Sequence, residues 1–327
     1  MPDDDRLEFL GQIAAWYFED NLDQSEIGRR IGRSRSMVSR LLQEARDRGL
    51  VQIRVTYPLR SDRQLERRLV DDFGLTEARV LIGDHLDHES MLRRLGRVGA
   101  MALQTRLHSD VNVTVGWGAA LHAVVRAMPD IQLDGVMVLQ AMGSVGGSDP
   151  SVDGSDLART LASRLNGDFR FLPAPLIVSS VEAARSLLAD RTIAGTLALA
   201  AEAEVAITGI GSIDSKHSGL FRAGYFDQAH LTRLRRAGVV GDFMGHLIDA
   251  DGRVLDLPEN RKVVGLRPAE LSNVGTVIGV AGGVDKAPAI LATLRAGWLD
   301  VIVTDAAAAS AALAIHHASP DLMKEGA

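Results

Sequence analysis

The chain has 327 residues, 46% of them hydrophobic and 24% charged, a composition typical of a globular protein with room for two domains. The absence of cysteine excludes disulfides, thiolate metal sites and cysteine nucleophiles. The sequence has no apolar run of 18 residues and no basic, apolar leader, so we expect a cytoplasmic protein that does not contact a membrane.

The net charge of −6 is unevenly distributed. Residues 29–54 contain eight arginines and two acidic residues, whereas residues 61–327 contain 26 basic and 32 acidic residues. A basic patch on an acidic body favours contact with nucleic-acid phosphates on one face. Charge alone leaves a solvated helical surface as an equal alternative.

Three helices with short interruptions are predicted in the first fifty residues, over 7–20, 24–31 and 35–48. Asp23 followed by Glu26 is the pattern of a capping box at the start of the second helix. A short helix, a tight turn and a longer helix are typical of a helix-turn-helix.

The turn and the third helix carry their own signals. Gly32 can end the second helix in the left-handed conformation, Ser34 can cap the third helix, and Gly49 can end it. Residues 50–55 then alternate as a strand, which resembles the wing of a winged helix. The predicted buried stripe of the third helix consists of Met37, Val38, Leu41, Leu42 and Ala45.

The start of the third helix is rich in arginine and serine. In a helix-turn-helix these residues enter the major groove, where arginine binds guanine edges and serine binds bases or phosphates. An ordinary three-helix packing unit is the alternative, but it leaves this composition unexplained. The expected partner is a double-stranded DNA operator, and the candidate contacts are Gln24, Arg33, Ser34, Arg35, Ser36, Ser39 and Arg40.

The sequence suggests three segments: a DNA-binding domain over 1–57, a linker or oligomerisation helix over 58–75, and a larger domain over 76–327. Residues 58–61 are interpreted as a hinge, and the amphipathic helix after them contacts either a second subunit or its own domain. We expect a homodimer or homotetramer, because paired recognition helices lengthen the site that is read.

Short β-branched runs alternate with helical stretches in the larger domain. This alternation predicts an α/β fold with a mostly parallel, doubly wound sheet, beside the small all-α or winged helix-turn-helix domain. Candidate strands span 78–82, 111–115, 135–140, 169–172, 205–208, 263–266, 277–280 and 301–304. Candidate helices span 90–107, 155–165, 181–188, 193–203, 227–237 and 286–296.

Glycine-rich loops follow the strands at 116–120, 209–212, 241–242 and 282–286, the third leading into a hairpin-like stretch. Ligands of such folds bind at the carboxyl ends of the strands, where backbone N–H groups suit an anion. Each loop alone is more often a tight turn, but four together favour a shared pocket. The candidate effector-binding residues are Gly116, Trp117, Gly118, Ala119, Ala120, Gly143, Gly209, Gly211, Arg222, Asp242, Gly282, Gly283 and Lys286.

The three charged candidates have different expected roles. Lys286 opens a helix and can hold a phosphate as a point charge. Asp242 can accept hydrogen bonds from sugar hydroxyls, although a solvated turn aspartate is the plain alternative. Arg222 can add to anion binding. No metal site is predicted, because the nine histidines lack the HxxEH and HExxH spacings and His316 and His317 are merely adjacent, and no cofactor is expected.

The motifs, taken in order, resemble the SorC/DeoR group of sugar-responsive bacterial regulators. The resemblance covers nearly the whole chain and is carried by the helix-turn-helix over 15–55 and by the stretches VGWG, ITGIGS, GVVGDFMGHLIDADGRV and VAGGVDKAPAILATLRAGWLDVIVTD. Ala119 and Ala120 stand where many members have a Thr or Ser hydroxyl. One branch forms a Schiff base through a lysine, and this chain has no lysine before Lys216.

The resemblance implies an effector domain related to ribose-5-phosphate isomerase and glucosamine-6-phosphate deaminase, without enzymatic activity. By analogy, a phosphate would lie near residues 116–120 and Lys286, and sugar hydroxyls near Asp242. The leading interpretation is thus a transcriptional regulator controlled by a small phosphorylated sugar or polyol. The alternative is a sugar-phosphate isomerase or deaminase, for which Asp242, His246 and His217 are candidate acid–base groups.

Overall fold

The computed structural model describes residues 3–51, 59–83, 87–146 and 152–318. The chain divides into two compact units, of residues 1–58 and 59–327. Among the described residues, no helix combines the length and apolar character that crossing a membrane requires.

The first unit contains three helices: α1 (Asp3–Phe18), α2 (Gln24–Ile31) and α3 (Arg35–Asp47). The start of α1 precedes the predicted one by four residues. The core forms where the apolar stripes of the helices meet, because residues spaced by three or four lie on one helix face. This core comprises Leu10, Ile13, Ala14, Ile27, Val38, Leu41, Leu42 and Ala45.

One core prediction in this unit is wrong. Met37 is 40% exposed, because the buried face of α3 is centred on Val38, Leu41 and Ala45 and turns Met37 toward solvent. The wing predicted over 50–55 lies mostly outside the described residues, which end here at Val51.

The larger unit is built on a sheet with a short antiparallel extension. Seven parallel strands of the described residues lie in the order β1-β9-β8-β5-β2-β3-β4, and β5 also pairs antiparallel with β6, which pairs with β7. The strands are β1 (Glu77–Leu81), β2 (Asn112–Val115), β3 (Met137–Gln140), β4 (Asp168–Arg170), β5 (Val205–Ser212), β6 (Gly241–Phe243), β7 (His246–Ile248), β8 (Thr276–Val280) and β9 (Val301–Asp305).

Helices connect most of the parallel strands. They are α4 (Arg63–Phe73), α5 (His88–Gln104), α6 (Ala119–Ala127), α7 (Gly154–Leu165), α8 (Val181–Leu188), α9 (Arg191–Ala201), α10 (Gly219–Arg222), α11 (Gln228–Arg236), α12 (Ala287–Arg295) and α13 (Ala306–Ala318).

The sheet has a hydrophobic core on each face. Successive strand residues alternate between two apolar clusters: Ala206 belongs to one, and Val205 and Ile207 belong to the other. Side chains of a strand point alternately to opposite faces, so both faces are covered. The predicted fold class, α/β with a mostly parallel sheet, is confirmed.

The predicted strand over 263–266 is wrong. Val263 forms an isolated bridge to Ile177, and Gly265 forms another to Met142. The backbone of this segment forms hydrogen bonds with two different loops, so it does not pair continuously with any one strand of the sheet. The hairpin-like stretch does form β6 and β7, joined through Met244 and Gly245 at φ 53° and 75°, as in a tight hairpin turn.

The segment after residue 58 is fastened to the larger unit. The Asp62 N–H donates to the Val80 carbonyl, and the Ile82 N–H donates to the Arg60 carbonyl, at 2.9 and 2.8 Å. Leu65 and Leu69 of α4 are buried in one of the sheet cores. The described part of the predicted hinge and helix therefore packs on its own unit.

Candidate functional site

The helix-turn-helix in the first unit is fixed by local hydrogen bonds. The Asp23 carboxylate accepts from the Ser25 and Glu26 N–H groups at 2.7 and 2.8 Å, and the Glu26 side chain accepts from the Asp23 N–H at 2.9 Å. These bonds complete the capping box. The backbone N–H groups of Glu26 and Ser25 hold the pKa of Asp23 below its ordinary value.

The turn between α2 and α3 depends on two glycines. Gly32 ends α2 at φ 63°, where a side chain would be strained. A Cβ at Gly28 would lie 2.6 Å from the Arg33 carbonyl oxygen, so the turn packs directly on the α2 backbone. Ser34 caps α3 through its hydroxyl, which accepts from the Met37 N–H at 3.3 Å.

Most of the predicted DNA contacts of this unit are accessible to solvent. Gln24 is half-buried, while Arg33, Ser34, Arg35, Ser36, Ser39 and Arg40 are exposed. Gln24, Ser39 and Arg40 line one surface groove. An exposed helix start with two arginines can contact phosphates and base edges together.

Sequence reasoning did not single out Tyr17, Gln43 and Arg46, which line the same groove. The Arg46 guanidinium lies 5.5 Å from the centre of the Phe18 ring, a cation–π contact that orients it. Periodicity already places Gln43 and Arg46 outside the buried stripe of α3, so the sequence contained a signal for their exposure.

In the larger unit, a cavity of about 260 Å³ is lined by residues from all four glycine-rich segments that the sequence singled out. It lies at the carboxyl end of β2 and along the second half of β5. Residues 209–212 and 241–242, which were predicted as loops, are strand residues instead: the first continue β5 and the second begin β6, because the two segments pair with each other. The predicted residues that line the cavity are Trp117, Gly118, Ala119, Ala120, Gly209, Gly211, Arg222, Asp242 and Lys286.

Four predicted effector residues do not line the cavity. Gly116 and Gly143 use their N–H groups in bonds to the carbonyls of Ile207 and Val264, at 2.9 and 2.8 Å. A Cβ at Gly143 would lie 2.5 Å from the Pro175 backbone, so this glycine permits close packing.

The loop of Gly282 and Gly283 is closed by a carboxylate of the protein itself. Asp305 accepts from the Gly283 N–H at 2.6 Å and from the N–H groups of Ala307 and Ala308 at the start of α13. A Cβ at Gly282 would lie 2.7 Å from the same carboxylate. The loop resembles an anion-binding turn, but its anion is a side chain.

Asp242 is buried above a glycine. Gly211 pairs with it across β5 and β6, and a Cβ on Gly211 would lie 1.9 Å from its Oδ1, so only glycine leaves room for the carboxylate. Burial raises the pKa of Asp242 to about 6, although the charge of Lys286 lowers it. Within the described chain, no hydrogen bond to this carboxylate is formed. It can therefore accept hydroxyl donors from a ligand.

Lys286 forms a hydrogen bond with the backbone of β5. Its Nζ donates to the Ile210 carbonyl at 2.8 Å, and burial lowers the pKa of its ammonium despite the opposing charges of Asp242 and Asp285. An ammonium has three donors, and this bond uses one of them.

The start of α6 also faces the cavity. Gly118, at φ 113°, precedes the helix, and no side chain caps its first turn. Ala119 and Ala120 line the cavity there. Uncapped N–H groups at a helix start attract negative charge. The indole of Trp117 packs on Gly219, where a Cβ would lie 2.6 Å from the ring.

Two histidines complete the cavity. The His88 and His217 rings are 4.9 Å apart, and His217 Nδ1 lies 2.9 Å from Asp285 Oδ2. Burial lowers the pKa of His88, and the charges of His217, Lys286 and Arg222 add to the effect. His217 was considered only as an acid–base candidate, and His88 was missed because nothing in its local pattern separates it from a surface residue.

His246, the other acid–base candidate, does not line the cavity. It is buried in β7, its Nδ1 lies 3.0 Å from the Met244 carbonyl, and burial lowers its pKa to about 4. Its contacts are those of a neutral packing histidine.

The comparisons with known proteins agree on one group. Residues 57–314 match the Sugar-bind family, a sugar-binding domain. The transcriptional regulator LsrR of Klebsiella pneumoniae is 32% identical over 311 residues, which cover 94% of this chain and 93% of that protein. The deoxyribonucleoside regulator of Bacillus subtilis is 28% identical over 303 residues, covering 93% and 96%.

A solved structure extends this agreement to the fold. The crystal structure of the full-length sorbitol operon regulator SorC from Klebsiella pneumoniae has a TM-score of 0.70 to this chain at 25% identity. The match covers 94% of this chain and 98% of that one.

Proposed function

The chain belongs to the SorC/DeoR-type family of sugar-binding transcriptional regulators, and we propose that a small phosphorylated sugar or polyol bound in the cavity controls its binding to a DNA operator. Its relatives are named as regulators, so the chain is a regulator and not an isomerase or deaminase.

One observation carries the proposal: cationic groups and an uncapped helix start line the same small cavity as a buried carboxylate. Lys286, Arg222 and the start of α6 can hold a phosphate, while Asp242 can accept hydrogen bonds from hydroxyls. A volume of about 260 Å³ is close to the lower end of the ~300–1,000 Å³ of small-molecule sites, which favours a small ligand.

DNA binding is assigned to the first unit. The exposed start of α3, with Arg35, Ser36, Ser39 and Arg40, is proposed to enter the major groove, supported by Arg33, Ser34 and Gln24 nearby. We further propose a homodimer or homotetramer, in which effector binding favours one arrangement of subunits and so changes operator affinity. Light scattering during size-exclusion chromatography, with and without effector, measures the assembly.

The proposal is tested with matched sugars and sugar phosphates. A phosphorylated ligand that binds the cavity raises the melting temperature, since it binds only the folded protein, and it also changes operator affinity. The Lys286→Ala variant loses the response to that ligand, whereas Lys262→Ala, outside the cavity, retains it. A free sugar acting as strongly as its phosphate contradicts the assignment of Lys286 to a phosphate.

A further inference from the structure

Three potential metal ligands meet where two helices of the larger unit end. Asp72 lies in the last turn of α4, and His316 and His317 lie in the last turn of α13. One ligand atom of each lies within 4.8 Å of the others. We propose that this cluster binds a divalent transition-metal ion of the Zn²⁺ type, which joins α4 to α13.

The donor set determines the class of ion. Two imidazoles and one carboxylate suit Zn²⁺, Co²⁺ and Ni²⁺, whereas Mg²⁺ and Ca²⁺ prefer oxygen ligands alone. Three protein ligands leave one position of a tetrahedral Zn²⁺ ion for water, and the exposure of Asp72 and His317 gives water access.

The spacing of the donors is close to what an ion requires. Ligand atoms around tetrahedral Zn²⁺ are about 3.3 Å apart, as follows from bonds of about 2.0 Å. Asp72 Oδ2 and His317 Nε2 are already 3.3 Å apart. Because the side chain of His317 is 51% exposed, it can rotate toward His316 without disturbing the core.

His316 supplies an independent observation. Its ring packs against Phe73, with centroids 4.9 Å apart, so α4 itself orients the imidazole. Its Nδ1 is buried and has no hydrogen-bond partner among the described residues. A buried polar nitrogen without a partner is unfavourable, and an ion bound by this nitrogen would remove that cost.

This site has no pattern in the sequence. Asp72 is separated by more than two hundred residues from the adjacent histidines, so no ligand spacing connects them. The fold brings them together because α4 and α13 pack on each other. An ion bound by these three side chains would link α4, near the beginning of the larger unit, to the end of α13. It would stabilise the folded form, because the unfolded chain does not hold the ligands together.

The test uses the full chain without a histidine tag, stripped by a chelator and titrated with ZnCl₂ in a calorimeter and in thermal melts. We expect one ion per chain and a saturable rise in melting temperature, and no rise with MgCl₂. Asp72→Asn and His317→Ala should each weaken binding at least about tenfold, as loss of a partner in a metal site does.

His108→Ala is the matched control. His108 Nε2 lies 3.0 Å from Glu204 in an exposed histidine–carboxylate pair, and the described residues place no third metal ligand beside it, so its removal should leave zinc binding unchanged. Circular dichroism of the metal-free variants checks that they fold. Zinc binding of equal affinity in Asp72→Asn, His317→Ala and the parent would overturn the proposal, as would the absence of binding to the folded parent.

Discussion

The two candidate binding regions differ in how the chain assembles them. The proposed DNA-binding surface is made of neighbours in sequence, exposed at the start of α3 and held by caps only a few residues away. The candidate effector cavity is lined by residues that are spread along the sequence from His88 to Lys286, and the order of the strands brings them together. Local signals therefore predict the caps and the exposed start of α3, whereas the second region requires the fold.

The regions also differ in the environment of their charges. Arg35 and Arg40 are exposed to water, so salt should screen their contacts with DNA. Asp242 and Lys286 are desolvated, so their effects should respond to pH more than to salt.

The largest effect is expected on the DNA-binding side. Replacing Arg35 and Arg40 together by alanine should weaken operator binding by about 1–3 kcal/mol for each arginine that binds a base edge. For each arginine that binds a phosphate instead, the log–log salt slope should fall by about one. Fluorescence anisotropy at several salt concentrations measures both quantities.

The control for this pair is Arg253→Ala, which removes an arginine with a side chain 76% exposed, in an ion pair of the larger unit. It should leave affinity and salt slope unchanged. Equally weakened binding in the control would mean that arginine charge in general, and not the start of α3, governs DNA binding.

The cavity side predicts a pH-dependent stability. The pKa of Asp242 is about 6 in the folded protein and 3.8 ordinarily, so its ionised form disfavours folding above pH 6. Asp242→Asn should therefore raise the free energy of unfolding at pH 8 by up to about 3 kcal/mol. The gain should shrink as the pH falls through 6 toward 4, where the native carboxyl is already protonated.

Urea denaturation at pH 8, 6 and 4.5 follows this difference between variant and parent. Asp256→Asn is the control, since Asp256 is exposed and paired with Arg261 on the surface. A gain for Asp242→Asn that stays constant with pH would show that the carboxylate is not destabilised by burial.

The limits of sequence reasoning follow from the same contrast. Asp23, Glu26, Gly32 and Ser34 act within three or four residues, and the cap signals identified all four. In the larger unit, the loop after β2 was predictable from glycines that follow an apolar strand, whereas residues 209–212, predicted as a loop by the same signal, continue β5. The loop of Gly283 carried the same signal, but Asp305, from the next strand, occupies its N–H group.

His88 shows why the rest could not be predicted. Its position at the start of α5 gives no local sign of function, and it reaches the cavity because the fold places it 4.9 Å from His217. Asp242 gains its raised pKa from burial above Gly211, its pairing partner on the neighbouring strand and 31 residues earlier in the sequence. Such partners depend on strand order, which periodicity does not reveal.

The smallest expected effect is on the stability of the first unit, where two glycines distinguish the cost of backbone strain from that of side-chain packing. A Cβ at Gly32 or at Gly11 would meet no atom within 4 Å, but Gly32 has φ 63° while Gly11 lies inside α1. Gly32→Ala should lower the free energy of unfolding by about 1 kcal/mol through left-handed strain.

Gly11→Ala should instead raise the free energy of unfolding by about 0.5–1 kcal/mol, because alanine favours a helix. Gly32→Asn should recover part of the stability, since asparagine tolerates this conformation. Chemical denaturation of the three variants measures these values, and a decrease for Gly11→Ala equal to that for Gly32→Ala would mean that side-chain bulk, not the turn, decides the cost.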